Sequence, residues 1–85
     1  MKKNRQDLLS VLMITPRSMM FEGKASSVIL PGKLGIFEIQ AFHKPLCSRL
    51  LGGNVVIDGK RHLIKSGAVQ VSGNVVTILA EPGGE

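Results

Sequence analysis

The order of apolar and polar positions along the chain predicts short β-strands joined by tight turns. The stretch GNVVIDGKRHLIKSGAVQVSGNVVTILAE, Gly53–Glu81, contains three apolar runs separated by Asp58-Gly59 and by Ser72-Gly73-Asn74. Asp58-Gly59 is the stronger turn signal, because a type I′ turn needs positive φ at both central residues and Asp and Gly tolerate it. The pattern therefore predicts a β-meander over Gly53–Glu81.

The preceding part of the chain has the same character in a weaker form. A helix is hard to place, because the stretch NRQDLLSVLM, which lacks Gly and Pro, leads to Thr15-Pro16, and the residue before a proline is biased toward extended backbone. Val28–Leu30 is expected to be a strand buried on both faces. The predicted strands are Leu9–Ile14, Met19–Phe21, Lys24–Leu30, Ile36–Gln40, Leu46–Leu50, Asn54–Ile57, Lys60–Lys65, Val69–Val71 and Val75–Leu79.

Turns are predicted where Gly and Pro interrupt these strands, at Glu22-Gly23, at Gly32–Gly35 and in the loop Ala41–Pro45. Short strands at a spacing of about 8–12 residues are typical of an all-β sandwich or barrel. A chain of 85 residues makes one domain. We expect a flexible basic N-terminus over residues 1–8, a β-sandwich domain over residues 9–81 and a flexible tail over residues 82–85.

Composition narrows the classes of function. Hydrophobic residues make up 44% of the chain, but the aromatic residues are only Phe21, Phe37 and Phe42, so the core must be aliphatic. The net charge of +5 is compatible with nucleic acid as a partner, yet the basic residues are dispersed and lack stacking aromatics beside them. A small basic β-barrel that binds single-stranded nucleic acid stays open as an alternative.

Cysteine use and hydropathy bear on the compartment. Cys47 is the only cysteine, so no disulfide can form within the chain, which fits a reducing compartment. The basic start lacks the apolar stretch of a signal peptide, and no run approaches the roughly 20 apolar residues of a membrane span. We expect a cytoplasmic protein.

Residues that could carry chemistry are few and poorly spaced. His43 and Cys47 are four positions apart with a proline between them, and neither has an evident orienting partner. Adding His62 does not produce the spacing of metal ligands, and GKLG lacks the length of a phosphate-binding loop. No cofactor or metal is expected. A small enzyme with a site built from His43, Cys47 and Glu38 remains a second alternative to a binding function.

Five segments occur in an order that is similar to one known family. They are ITPRSMMFEG, SSVILPGKLGIFEI, FHKPL, LLGGNVVI and SGAVQVSGNVVTILAE. Together they resemble the ε subunit of the F-type ATP synthase, called δ in mitochondria, from about Leu9 to Glu81. The resemblance implies a ten-stranded β-sandwich, or flattened barrel, of short antiparallel strands, about eight of which are readable in the pattern.

The chain departs from the family pattern at several positions. Phe42 and Lys44 replace a Gly and an Ala on either side of the histidine. The turn before Phe37 often carries an acid in the family, which faces basic loops of the membrane ring; here it reads Lys33-Leu34-Gly35-Ile36. The family usually continues into a C-terminal helical hairpin, and we expect these 85 residues to be a short form without it, either natural or shortened from a longer protein.

The resemblance also implies a function. The chain would be a non-catalytic rotor subunit of the central stalk, peripheral on the cytoplasmic face of the membrane, that links the γ subunit to the ring of c subunits. It would serve ATP synthesis driven by protons or sodium ions. Contacts to the ring are expected from Gly32, Lys33, Leu34, Gly35, Phe42, His43 and Lys44. Contacts to γ are expected from Ser48, Gly67, Ala68 and Val69.

Overall fold

The computed structural model describes residues 8–83, and every regular element in that range is a β-strand. The strands are β1 (Leu9–Ile14), β2 (Met19–Ala25), β3 (Ser27–Gly32), β4 (Gly35–Gln40), β5 (Leu46–Leu50), β6 (Gly53–Ile57), β7 (Lys60–Ser72) and β8 (Val75–Pro82). The all-β prediction is confirmed, and the described residues form eight strands where the resemblance implied ten. Most of the predicted flexible N-terminus, and the last two residues of the predicted tail, lie outside the described residues.

The strands pair in the order β2-β1-β8-β7-β5-β3-β4, and β6 pairs with both β3 and β7. Every pair is antiparallel except β1 with β8. The long strand β7 joins two parts of the sheet: Lys60–Ile64 pairs with β6, and Gly67–Val71 pairs with β5. β3 pairs with both β5 and β6, which in turn both pair with β7. The four strands β3, β5, β7 and β6 therefore form a closed circuit of pairing around one core.

The core consists of aliphatic side chains, as the shortage of aromatics predicted. In β1 every second residue is buried, so Leu9, Val11 and Met13 face the interior. Similar alternation in the other strands adds Val28, Leu30, Ile39, Leu50, Val55, Ile57, Ile64, Val69, Val71, Val76 and Ile78. Each fully buried side chain of this size contributes roughly 1.5–3 kcal/mol relative to an exposed one.

Two glycine-containing turns close the C-terminal meander as the pattern predicted. Asp58 and Gly59 have φ values of 47° and 85°, which are the positive values that a type I′ turn requires. Gly73 and Asn74, at 59° and 64°, form a second turn of the same kind. The described residues contain no helix that is long and apolar enough to cross a membrane.

Several predicted strand limits are wrong because pairing, not local composition, decides where a strand ends. β2 continues through the predicted turn at Glu22-Gly23, since these residues pair with β1, and the break falls at Ser26. The predicted strands Lys60–Lys65 and Val69–Val71 are one strand, because β8 pairs with β7 from Ile64 to Ser72 and so spans the gap between them.

Burial and the C-terminal limit also differ from the predictions. Ile29 is only half-buried between Val28 and Leu30, since one face alone of β3 meets the core. β8 extends to Pro82, which pairs with Ile64, so the predicted flexible tail begins too early.

Candidate functional site

The turn between β3 and β4 presents two side chains at its tip. A Cβ on Gly32 would lie 2.5 Å from a ring carbon of Phe37, so the absence of a side chain lets that ring pack across the turn. Gly35 has a φ of 131°, which disfavours any other residue. The two glycines therefore shape the turn, and the side chains of Lys33 and Leu34 are exposed to solvent. Leu34 is fully exposed, at 103% of its reference area.

The loop Ala41–Pro45 is held in place by hydrogen bonds at its start. The main-chain N–H of Phe42 donates to Oδ1 of Asn74 at 2.6 Å, and that of His43 donates to the carbonyl of Gln40 at 3.3 Å. Nδ1 of His43 lies 2.7 Å from the carbonyl oxygen of Lys44, and because a carbonyl only accepts, this ring nitrogen carries the proton. Phe42 has a φ of 68° and remains 74% exposed instead of folding back onto the sandwich.

The turn and the loop line one open groove of about 640 Å³, which is bounded by Lys33, Leu34, Ile36, Phe37, His43, Leu46 and Ser48, with both turn glycines. We call the exposed side chains of this turn, of the start of β4 and of the loop the tip surface: Lys33, Leu34, Ile36, Phe42, His43 and Lys44, of which Phe42 and Lys44 do not line the groove. Ile36, which is 79% exposed, was not predicted as a site residue. The alternation in GIFEIQ could have identified it, because Phe37 and Ile39 face inward and Ile36 therefore faces outward.

The residues predicted to contact γ lie on two paired strands, but they do not share one face. Ser48 is opposite Val69, Arg49 is opposite Ala68, and Leu50 is opposite Gly67. Val69 is only 2% exposed and faces the core, so its side chain is not available to a partner, contrary to the sequence expectation. Successive residues of a strand alternate between faces, which leaves Ala68 outward and Val69 inward.

The outward face of β7 and β8 carries a small apolar patch. Ala68 pairs with Leu79, which is 54% exposed, and Leu79 pairs in turn with Ile14 of β1. Gln70 pairs with Thr77 in the adjacent outward row. We call Ala68, Leu79, Ile14 and Thr77 the β7–β8 face. The sequence did not predict Leu79, Thr77 or Ile14 as site residues. Which residues are neighbours across strands is known only from the strand register.

Gly67 belongs to this region for a steric reason. A Cβ at this position would lie 2.5 Å from the main-chain oxygen of Leu79 and 3.3 Å from the Cα of Ala80. Both atoms are backbone and cannot move aside without disturbing the ladder. Gly67 therefore permits the close approach of β8 to β7. Its role is in strand packing and does not depend on its exposed surface.

The tip surface and the β7–β8 face adjoin at one residue. Ser48 lines the groove beside the tip and also a second groove, of about 390 Å³, that contains Ala68, Thr77 and Leu79. Cys47 and Arg49 line only the second groove. The predicted residues of the two interfaces are thus brought together along β5.

The structure does not assemble the residues considered for catalysis or metal binding. His43 lies in the tip groove, whereas Cys47 lies on the outward side of β5. His62 stands edge-on to Phe21, with ring centres 6.1 Å apart. Among residues 8–83, no group of three or more His, Cys, Asp and Glu side chains could hold a metal ion.

Comparison with known families identifies this arrangement of strands. The family model described as "ATP synthase, Delta/Epsilon chain, beta-sandwich domain" matches residues 8–82. The chain belongs to this family. The match covers all eight strands, so the predicted resemblance to the ε subunit of ATP synthase is confirmed.

Relatives within the delta/epsilon family are similar in sequence over most of the chain. The ATP synthase epsilon chain of Campylobacter lari is 40% identical over 81 residues, which are 89% of this chain and 62% of that relative. The epsilon chain of Chlorobium limicola is 36% identical over 73 residues, 80% of this chain and 83% of the relative. The chain thus spans about three fifths of the C. lari relative. Both relatives are named as epsilon chains of an ATP synthase.

Solved structures support the fold independently of sequence. A chain from the mitochondrial ATP synthase central stalk and c-ring of Tetrahymena thermophila superposes with a TM-score of 0.75 at 17% identity, covering 95% of this chain and 66% of that one. A chain from the Euglena gracilis mitochondrial enzyme gives a TM-score of 0.79, also at 17% identity, covering 96% of this chain and 57% of that one. At this identity the likeness establishes a shared fold.

Proposed function

We propose that this chain is a central-stalk part of an F-type ATP synthase that joins the γ subunit to the ring of c subunits on the cytoplasmic face of the membrane. It takes part in ATP synthesis driven by protons or sodium ions, and it performs no chemistry itself. The observation that supports this most directly is the pair of adjoining surfaces that share Ser48. A coupling part needs two separate contacts on one body.

The tip surface is the side assigned to the ring. Leu34 and Ile36, which line the same groove, and Phe42 on the loop are each at least 74% exposed, and exposed apolar side chains grouped on a surface mark contacts with other proteins. The structure neighbour from T. thermophila comes from an assembly described as central stalk and c-ring, which is consistent with such a contact. Burial of these side chains against polar loops of the ring would stabilise the junction.

The β7–β8 face is the side assigned to γ. Leu79 and Ala68 form the exposed apolar centre, and Arg49 lies beside them in the same pairing row. A core of apolar contacts with a charged residue at its margin is the usual composition of a protein interface. Gly67 and Val69 were also predicted for this contact. Gly67 lets β8 approach β7 closely, and Val69 packs in the core beneath the β7–β8 face.

The fold suits the transmission of torque because the body between the surfaces is stiff. β5 carries Ser48 and pairs with the centre of β7, and the circuit of β3, β5, β7 and β6 is closed. Close-packed interiors resist deformation and transmit strain. Rotation of the ring would therefore reach γ with little twisting inside this domain.

The test is co-expression of the chain with γ and c subunits from the same genome, followed by pull-down on this chain. We expect both partners to co-purify. Leu79→Arg should remove γ while leaving the fold intact, as judged by circular dichroism. Leu63→Arg is the matched control, because Leu63 is exposed to a similar extent on the other half of β7.

Two results would contradict the proposal. If folded wild-type chain retains neither γ nor the ring, the rotor function is wrong, and binding of single-stranded nucleic acid becomes the leading alternative. If Leu63→Arg removes γ and Leu79→Arg does not, the γ contact lies on another face of the sandwich.

A further inference from the structure

The tip surface has an unbalanced charge. Lys33 and Lys44 are both exposed, Lys33 and His43 line the same groove, and no carboxylate lines that groove. The nearest acid along β4 is Glu38, two positions beyond Ile36 and outside the groove, where its Oε2 accepts from Nε2 of Gln40 at 3.4 Å. Asp58, another acid of the described chain, accepts main-chain N–H groups of Ser26 and Ser27.

Position along β3 separates Lys33 from that other acid. Ser27, which contacts Asp58, and Gly32, which precedes Lys33, are at opposite ends of this strand. The loop with His43 and Lys44 follows Gln40, which pairs with Ser27, so this separation applies to Lys33 and not to the loop. No carboxylate lines the groove that Lys33 and His43 share. They stand beside the exposed side chains of Leu34 and Ile36, so a partner must satisfy positive charge and apolar area together.

We infer that the tip surface binds an acidic loop of its ring partner, with a carboxylate of that loop placed at the groove beside Lys33 and His43 and apolar side chains against Leu34 and Ile36. The inference rests on the proposed function and specifies the chemistry of its ring contact. Complementary charge across an interface selects the partner and fixes its register. In this chain the positive side of the contact lies on the sandwich.

A concave groove lined by one lysine and one histidine fits a protein loop better than a lipid surface. Segments that bind anionic membranes by charge present clusters of about four to eight Lys or Arg residues. Here the positive charge is confined to Lys33 and Lys44, with His43 beside them, and the groove of about 640 Å³ is large enough to receive several side chains. Anionic lipid is therefore an outcome to be tested against the proposal.

The experiment measures binding of the folded chain to the purified c-ring of the same organism in non-ionic detergent, at 50 and 300 mM NaCl. We expect Lys33→Glu to weaken ring binding at least tenfold and wild-type binding to weaken at the higher salt concentration. Lys60→Glu is the matched control: it makes the same charge change on an exposed residue at the start of β7, beside the Asp58-Gly59 turn. Binding to γ should be the same for all three proteins.

A charge exchange identifies the partner group. Each Asp or Glu of the polar loop of the c subunit is replaced by Lys, and one of these rings should bind Lys33→Glu more tightly than wild type. Tighter binding of Lys33→Glu to the natural ring would show that the ring loop is basic, and unchanged binding would show that the loop makes no charge contact with Lys33. Either result would overturn the inference.

Two further results separate the possible failures. The wild type is also tested against vesicles with about 30% phosphatidylglycerol. If it binds these vesicles as tightly as it binds the c-ring, and Lys33→Glu does not bind them, the tip surface binds lipid and the acidic-loop proposal is wrong. If the wild type binds γ but not the ring, this inference fails while the γ contact stands; if it binds neither, the proposed function itself fails.

Discussion

Oδ1 of Asn74 accepts a hydrogen bond of 2.6 Å from the main-chain N–H of Phe42, a residue 32 positions earlier in the chain. The carbonyl of the same asparagine accepts from the N–H of Ser10 at 2.8 Å. One residue of the β7–β8 turn thus connects the start of β1 and the loop that carries part of the tip surface. Its own φ of 64° is one that Asn tolerates well.

The first prediction follows from this contact. Asn74→Gly preserves the positive φ but removes the acceptor, so the Phe42 amide should exchange with solvent faster and the domain should lose about 1 kcal/mol of stability. Ring binding should weaken because the loop is less ordered. Asn74→Asp retains an acceptor oxygen and should preserve protection of the Phe42 amide in hydrogen-exchange NMR. Equal protection in Asn74→Gly and wild type would contradict this role.

The second prediction concerns the close approach of β7 and β8. Gly67→Ala places a Cβ 2.5 Å from the Leu79 oxygen and should destabilise the domain by about 1–3 kcal/mol, the usual cost of overpacking. Gly23→Ala is the control, since a Cβ there meets only the ring of Phe21 at 3.4 Å. Urea unfolding should separate the two variants. Equal midpoints would mean that β8 shifts freely.

Much of the fold, and part of the candidate site, could be predicted from the local sequence pattern. The limits of β1 and β5, and the turn at Asp58-Gly59, agree with the structure because alternation and turn chemistry are local properties. The tip turn was found from its glycines. What failed depends on pairing: Val69 was expected at an interface although the register of β5 and β7 turns it inward.

The third prediction addresses a contact that the sequence pattern did not indicate. Asp58 was interpreted as a turn residue only, but its carboxylate accepts from the N–H of Ser26 through both oxygens and from that of Ser27, each at 3.0 Å. Asp58→Ala should cost about 1.5–3 kcal/mol, because hydrogen bonds to a charged group are lost and a positive φ is left to an alanine.

Asp58→Asn is the control for that substitution. Asparagine keeps one acceptor oxygen and tolerates the φ of 47°, so it should lose clearly less stability than alanine in the same urea titration. If the two variants were equally stable, the carboxylate would not hold the β2–β3 junction to the β6–β7 turn.

The last prediction concerns His62, which faces the core from β7. Its Nε2 is buried without a hydrogen-bond partner in the described part of the chain, and its ring meets the edge of Phe21 at an interplanar angle of 68°. An unpaired buried nitrogen is costly, so His62→Phe should raise the free energy of unfolding by about 1 kcal/mol while retaining the aromatic contact. His43→Phe, on the exposed loop, should change it by less than about 0.5 kcal/mol. Thermal and urea unfolding of both variants provide the measurement, and a loss of stability in His62→Phe would indicate that Nε2 has a polar partner in solution.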